Sequence, residues 1–154
     1  MTRILVTGAA GMIGRALLQE LQDHDVIATD LEPPHGVAQA LRLDVTTDDP
    51  DRVIADMRPD VVVHLASIVS PGVPRAVAHA VDVEGTRKVL AACLAHGVRR
   101  LVVTSSGAAY GYHADNPVPL RETDPVRGNP EFPYSDHKRQ VEELLAETRT
   151  AAPQ

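Results

Sequence analysis

The sequence predicts a doubly wound α/β fold, a parallel sheet of about five strands with helices on both faces. Three observations predict it. Short apolar runs alternate with longer helical stretches along the 154 residues, as successive βαβ units require. The run Asp60–Leu65 is nearly all apolar, as a central parallel strand covered on both faces must be. A turn spaced by Gly8, Gly11 and Gly14 leads from the first apolar run into the first helix.

The elements follow in order. Ile4, Leu5 and Val6 centre a first strand over 3–7, and a helix follows over 12–22. A second strand over 25–30 ends on Asp30, and Pro33, Pro34 and Gly36 mark a loop. A short third strand over 40–43 ends at Asp44. The next helix, 50–58, has Asp49 to cap it and Pro50 in its first position. The fourth strand is 60–65, and Pro71, Gly72 and Pro74 mark another loop. A long helix over 75–96 stops at Gly97. The fifth strand is 99–105. A loop over 106–130 contains four of the twelve prolines. A last helix over 131–149 puts Val141, Leu144 and Leu145 on one face. A sixth strand belongs to the usual order 3-2-1-4-5-6, and only five are readable.

The three glycines have separate tasks. Gly8 permits the tight turn, Gly11 lets backbone approach a pyrophosphate, and Gly14 lets the helix pack closely on the sheet. The free N–H groups at the helix start, Met12 and Ile13 among them, then face phosphates. Asp30 ends the second strand sixteen residues after Gly14. This context makes the turn a dinucleotide fingerprint of the Rossmann-like kind. Asp30 is expected to accept hydrogen bonds from the adenosine ribose and to repel a 2′-phosphate, which favours NAD over NADP.

Tyr134 and Lys138 carry the second signal. Four residues apart on a helix, phenol and ammonium share a face. A free phenol titrates near 10, too high for a base at neutral pH, and a neighbouring ammonium favours the phenolate.

Thr7-Gly8-Ala9-Ala10-Gly11-Met12-Ile13-Gly14 resembles the TGxxGxxG motif of the extended short-chain dehydrogenase/reductases, the NAD-dependent epimerase/dehydratase family typified by UDP-glucose 4-epimerase. His64-Leu65-Ala66-Ser67 resembles that family's HLAA stretch, which implies that Leu65, Ala66 and Ser67 lie along the cofactor, with His64 a packed strand residue. Asp44-Val45 resembles the acid–apolar pair that holds the adenine ring, although Asp44 also reads as a turn residue. Thr104-Ser105-Ser106-Gly107-Ala108-Ala109-Tyr110-Gly111 resembles the SSxxxYG stretch. That similarity implies a substrate-binding Ser106, with Ser105 the alternative, Thr104 on the cofactor side, and Ala108 and Tyr110 lining the substrate. With Tyr134 and Lys138 it implies a catalytic set: Tyr134 takes the proton of a substrate hydroxyl, Ser106 orients it, and Lys138 holds the cofactor ribose.

The resemblance implies an enzyme acting on a nucleotide sugar with NAD, a cytoplasmic homodimer paired through the helices of 75–96 and 131–149, with Val141 and Leu145 as candidate contacts that equally read as facing the sheet. Two alternatives stay open: an NAD-dependent dehydrogenase of another small alcohol, and a non-catalytic NAD-binding fragment or sensor. There are two departures. The family's NVxGT stretch reads Val81-Asp82-Val83-Glu84-Gly85-Thr86, with Asp82 for the usual Asn. The family also continues for about as many residues again, so residues 1–154 are expected to be the nucleotide-binding domain without the substrate-binding part.

Composition bounds the rest. A 44% apolar and 23% charged chain is ordinary for a globular domain with a core. A net charge of −6 argues against a nucleic-acid surface. No apolar run approaches the ~20 residues of a membrane span, and Met1-Thr2-Arg3 leads straight into a strand without a leader pattern. The single Cys93 excludes an internal disulfide and suits a reducing compartment. The seven histidines show no metal-ligand spacing, so no metal is expected.

Overall fold

The computed structural model describes residues 1–47, 49–70 and 72–151; Pro71 of the second predicted loop lies outside them. The chain divides into two compact units, Met1–Ser67 with Glu84–Thr104, and Ile68–Val83 with Ser105–Gln154.

The first unit holds the sheet. Its strands are β1 (Arg3–Thr7), β2 (Asp25–Asp30), β3 (Gln39–Arg42), β4 (Val61–His64) and β5 (Arg100–Val103). All pairings are parallel, in the order β3-β2-β1-β4-β5. This is the predicted doubly wound order, with β1 and β4 central. Register sets Leu5 beside Ile27 and Val62, and all three are buried, because a central parallel strand has no solvent face. In β5 only alternate residues are sheltered, and Val102 is 42% exposed.

The helices of this unit are α1 (Met12–Glu20), α2 (Pro50–Met57) and α4 (Thr86–Ala95). Asp49 caps α2 by accepting from the Asp51 N–H at 3.0 Å, with Pro50 at the first position as predicted. α4 packs on α2 and ends in a Schellman motif. The Val98 N–H reaches the Cys93 carbonyl, the Gly97 N–H reaches that of Leu94, and Gly97 takes φ +65°. Cys93 is buried on α4, and burial pushes its thiol up to about 12.

The predicted helix over 75–96 is wound in three segments. It begins as α3 (Arg75–His79), widens into a π-helical segment over Ala80–Gly85, and resumes as α4. The wide turn carries Asp82 and Val83, both buried. Apolar periodicity reports a helix but not its winding, and such π segments gather at functional positions.

The second unit contains α3, the first four residues of the π segment, a 3₁₀ turn over Gly107–Tyr110, and α5 (Pro133–Ala151). The 3₁₀ turn interrupts the predicted loop, because the Ser106 hydroxyl accepts from the Ala108 N–H at 3.1 Å and starts a helical turn there. The stretch after it is held by side chains: Asn129 Oδ1 accepts the Tyr112 N–H at 2.7 Å, and His113 pairs with the Gly128 carbonyl at 2.8 Å. α5 starts at Pro133, two residues later than predicted, since proline suits a first helical position. Val141 is 1% exposed on α5, so of the two places open to it, dimer contact or packed interior, it takes the interior; Leu145 is half-buried.

Among the described residues no helix is long and apolar enough to cross a membrane, and no cluster of three metal-ligating side chains occurs.

Gly97 takes a left-handed conformation that its Schellman bonds require, and a Cβ there would meet nothing within 4 Å. Gly97→Ala is therefore expected to cost about 1 kcal/mol through backbone strain alone. Thermal melting checks it, and an unchanged midpoint would contradict the strain.

Candidate functional site

In the first unit the site is built on the turn between β1 and α1. Gly8 has φ +67°, and a Cβ on it would lie 2.7 Å from the Ala66 nitrogen and 2.8 Å from the Leu65 carbonyl carbon. The glycine thus permits the turn and also lets it press on the backbone leaving β4. The Thr7 hydroxyl reinforces that contact, lying 3.3 Å and 3.4 Å from the Leu65 and Ala66 nitrogens. It also meets His64 Nδ1 at 2.7 Å, while His64 Nε2 meets Thr86 Oγ1 at 3.0 Å. His64 is 2% exposed and both ring nitrogens are used, so it is a packing residue, as its place on a strand predicted.

Gly14 differs from its expectation in one respect. A Cβ there would lie 2.5 Å from the Gly8 carbonyl oxygen and 2.6 Å from that of Ala9, so α1 packs on the turn itself. Gly11 is the open member of the trio. A Cβ on it would meet only the Gly8 carbonyl oxygen, at 3.2 Å. Gly11 is also the N-cap of α1 and supplies no side-chain cap. Beside it Met12 is 87% and Ile13 53% exposed, two large apolar side chains at a helix start that faces solvent.

Asp30 is already engaged with this turn. Its Oδ2 accepts the Ala10 N–H at 2.9 Å and its Oδ1 the Leu31 N–H at 2.7 Å. The acid at the end of β2 therefore fixes the loop whose ligand it is expected to read. Asp44 makes a tight turn, its Oδ1 accepting from the Thr46 N–H at 2.9 Å and the Thr46 hydroxyl at 2.7 Å. Those bonds, the hydroxyl's first, hold its carboxyl below the usual range. Val45 is buried, while Leu65, Ala66, Ser67 and Thr104 are half-buried. A groove of about 1030 Å³ runs along α1 to Ala10, with Pro33, Pro34 and Gly36 on its other side. Neither Asp44 nor Val45 lines it, so this groove does not locate the predicted adenine residues.

In the second unit Tyr134 and Lys138 share one face of α5. The Lys138 ammonium lies 5.6 Å from the centre of the Tyr134 ring. Lys138 is 5% exposed. Burial pulls its pKa below the ordinary lysine value, against the opposing pull of Asp82 and Glu142. Ser106 is linked to the same helix through the 3₁₀ turn: its hydroxyl oxygen caps that turn, and the buried Ser135 hydroxyl donates to the Ala108 carbonyl at 2.6 Å. Ala108 is thereby buried as a link, Tyr110 donates its hydroxyl to the Arg121 carbonyl at 3.1 Å, and Ser105 is exposed. Phe132 stands between Tyr112 and Tyr134, with ring centres 6.0 and 6.2 Å away.

Sequence reasoning missed Ser135 and His137. His137 lies inside the Tyr134–Lys138 stretch and pairs with Asp82, Nδ1 to Oδ2, at 3.1 Å. The signal was divided between two places: an acid where the resemblance expects an amide, and a histidine beside the lysine.

The family model described as the NAD dependent epimerase/dehydratase family matches residues 4–153. The chain belongs to this family. Among curated members it is 32% identical, over 97% of its length, to the N-acetyl-alpha-D-glucosaminyl-diphospho-ditrans,octacis-undecaprenol 4-epimerase of Escherichia coli O157:H7, covering 44% of that protein. It is also 32% identical, over 97% of its length, to the UDP-glucose 4-epimerase of Azospirillum brasilense, covering 45% of it. The crystal structure of the Bordetella bronchiseptica enzyme WbmG in complex with NAD and UDP superposes with a TM-score of 0.82 and 27% identity, over 94% of this chain and 49% of that one. The chain spans about half the length of the curated epimerase/dehydratase relatives it matches.

The two inner glycines of the turn should respond differently to a methyl group. Gly14→Ala forces backbone apart and should cost roughly 1–3 kcal/mol, the range of an overpacked site. Gly11→Ala should melt within a few degrees of wild type, since only one carbonyl must give. Equal losses in thermal melting would contradict the packing described.

Proposed function

We propose that this family member binds NAD with its first unit and oxidises a hydroxyl of a nucleotide sugar with residues of its second, as the nucleotide-binding domain of a 4-epimerase-type enzyme. The observation that carries the reading is the buried Lys138 ammonium 5.6 Å from the Tyr134 ring, in a chain that also has the glycine turn.

The residues present fit the cofactor. Gly11 is open on the side where a side chain would stand, and α1 starts without a side-chain cap, so its first N–H groups are available to an anion. We assign Gly8, Gly11, Met12, Ile13 and Gly14 to the pyrophosphate turn and Asp30 to the adenosine ribose. We assign Asp44 and Val45 to the adenine end, and Leu65, Ala66, Ser67 and Thr104 to the remaining length of the cofactor. Bound NAD supplies a hydride acceptor at its nicotinamide ring.

Tyr134 serves as the general base and takes the proton of the substrate hydroxyl at its phenol oxygen. The Lys138 ammonium favours the phenolate and holds the cofactor ribose. Ser106 orients the hydroxyl: its oxygen is committed to the Ala108 N–H, so its own hydrogen is the part left to donate. In an epimerisation Tyr134 returns the proton. A 4-epimerase relative, rather than a simple dehydrogenase, is favoured by the names of the two relatives matched along nearly the whole chain. A cytoplasmic homodimer is part of the same proposal and rests on the family resemblance and the lone buried thiol; sedimentation that finds only monomer counts against the dimer.

Three measurements test the reading. NAD⁺ should bind about tenfold or more tightly than NADP⁺, a difference of about 1.4 kcal/mol, and Asp30→Ala should narrow the gap. In a form that includes a substrate-binding part, incubation with NAD⁺ and UDP-glucose followed by NMR should yield the C4 epimer. Tyr134→Phe should lower that turnover about 10²–10⁴-fold, the usual contribution of a positioned base. Equal cofactor affinities would remove Asp30 from its role, and full turnover in Tyr134→Phe would remove the tyrosine from its own.

A further inference from the structure

Lys138 is 5% exposed, and a buried ammonium is costly unless a counter-charge lies near it. Two carboxylates of the second unit act on it, Asp82 from the π segment and Glu142 from the next turn of α5. Asp82 is the buried one, with a side chain 1% exposed, and Glu142 is half-buried. Each Asp82 oxygen meets a donor. Oδ1 accepts the Ile68 N–H at 2.8 Å, and Oδ2 meets His137 Nδ1 at 3.1 Å.

A carboxylate only accepts, so His137 must carry its hydrogen on Nδ1. His137 Nε2 is buried and finds no hydrogen-bond partner among the described residues. The imidazole is wholly buried, with the His79 ring edge-on at 5.3 Å and His79 bonded in turn to Gln140 at 3.1 Å. A ring that leaves one nitrogen unsatisfied is held there by its other bond, the one to Asp82.

We propose that Asp82 and His137 form a buried positioning pair for Lys138, in which the Asp82 carboxylate is the counter-charge that keeps the ammonium inside the unit and His137 fixes that carboxylate. Asp82 and Glu142 act on the Lys138 charge and the Tyr134 ring lies beside it, while His137 meets Asp82 and the His79 ring packs on His137. The pair rests on the reading of Lys138 as part of the acid–base set, but its test needs neither cofactor nor substrate.

The chain has two lysines, Lys88 and Lys138. Protein labelled with ¹³C at lysine Cε therefore gives two NMR signals, with exposed Lys88 as the reference. Asp82→Asn keeps the shape and both hydrogen bonds, if the amide donates to the imidazole, and removes only the charge. The Lys138 titration midpoint should move to lower pH in Asp82→Asn, because burial is then opposed by Glu142 alone. His137→Leu should lower it in the same direction, and His137→Asn, whose amide nitrogen stands where Nδ1 stood, should restore it. The two His137 variants carry the test if Asp82→Asn fails to fold. An unchanged midpoint in a folded Asp82→Asn, or in His137→Leu, overturns the proposal even if the melting temperature falls. Loss of turnover with the titration behaviour as expected would instead fault the catalytic reading and leave the pair standing.

Discussion

The first unit depends on a contact with no room for one carbon atom. At Gly8 the chain leaving β1 presses so closely on the backbone leaving β4 that a Cβ would sit 2.7 Å from a backbone nitrogen. The Thr7 hydroxyl fixes the same approach from the other side. Once β1 and β4 are joined at their carboxyl ends, the start of α1 is fixed above them, because Gly14 packs on the carbonyls of Gly8 and Ala9. Asp30 then binds the Ala10 N–H from the end of β2. Three central strands thus converge on one turn, at the carboxyl edge where folds of this class take their ligands.

The second unit is organised by polar burial. Ser135, Asp136, His137 and Lys138 are four consecutive buried polar residues on α5. An amphipathic helix would bury one stripe and expose the rest. Here the first three each meet a specific partner. Ser135 donates to the Ala108 carbonyl, Asp136 meets Arg75 at 2.6 Å and Arg139 at 2.7 Å, and His137 meets Asp82. Removing one member leaves its partner buried and unmatched, which costs more than the bond itself contributes. The helix turn that carries the candidate base is therefore held in a single arrangement by several independent partners.

Much of this was legible in the residues. Period and composition place all five strands within a residue or two, because apolar runs and Gly/Pro punctuation are local signals. The glycine turn and Asp30 were legible for the same reason, and so was the shared face of Tyr134 and Lys138. What escaped is what depends on distant partners. The π winding of Ala80–Gly85 has no local signature. The 3₁₀ turn after Ser106 hid inside a stretch that reads as a proline-rich loop. Val141 stayed open between a dimer contact and the interior because periodicity cannot say which face meets the core. The partner of Asp82 lies fifty-five residues away, and no spacing rule reaches that far.

The central claim is that the start of α1, and not the wider groove beside it, receives the pyrophosphate of NAD. Backbone amide NMR of uniformly ¹⁵N-labelled protein during a titration with NAD⁺ tests it most directly. The account predicts saturable shifts at Gly11, Met12, Ile13 and Gly14 with NAD⁺ and with ADP-ribose, and none of that pattern with nicotinamide alone. Saturable binding that leaves those four amides unmoved and perturbs Leu18, Pro33-flanking residues and Val37 instead would contradict it.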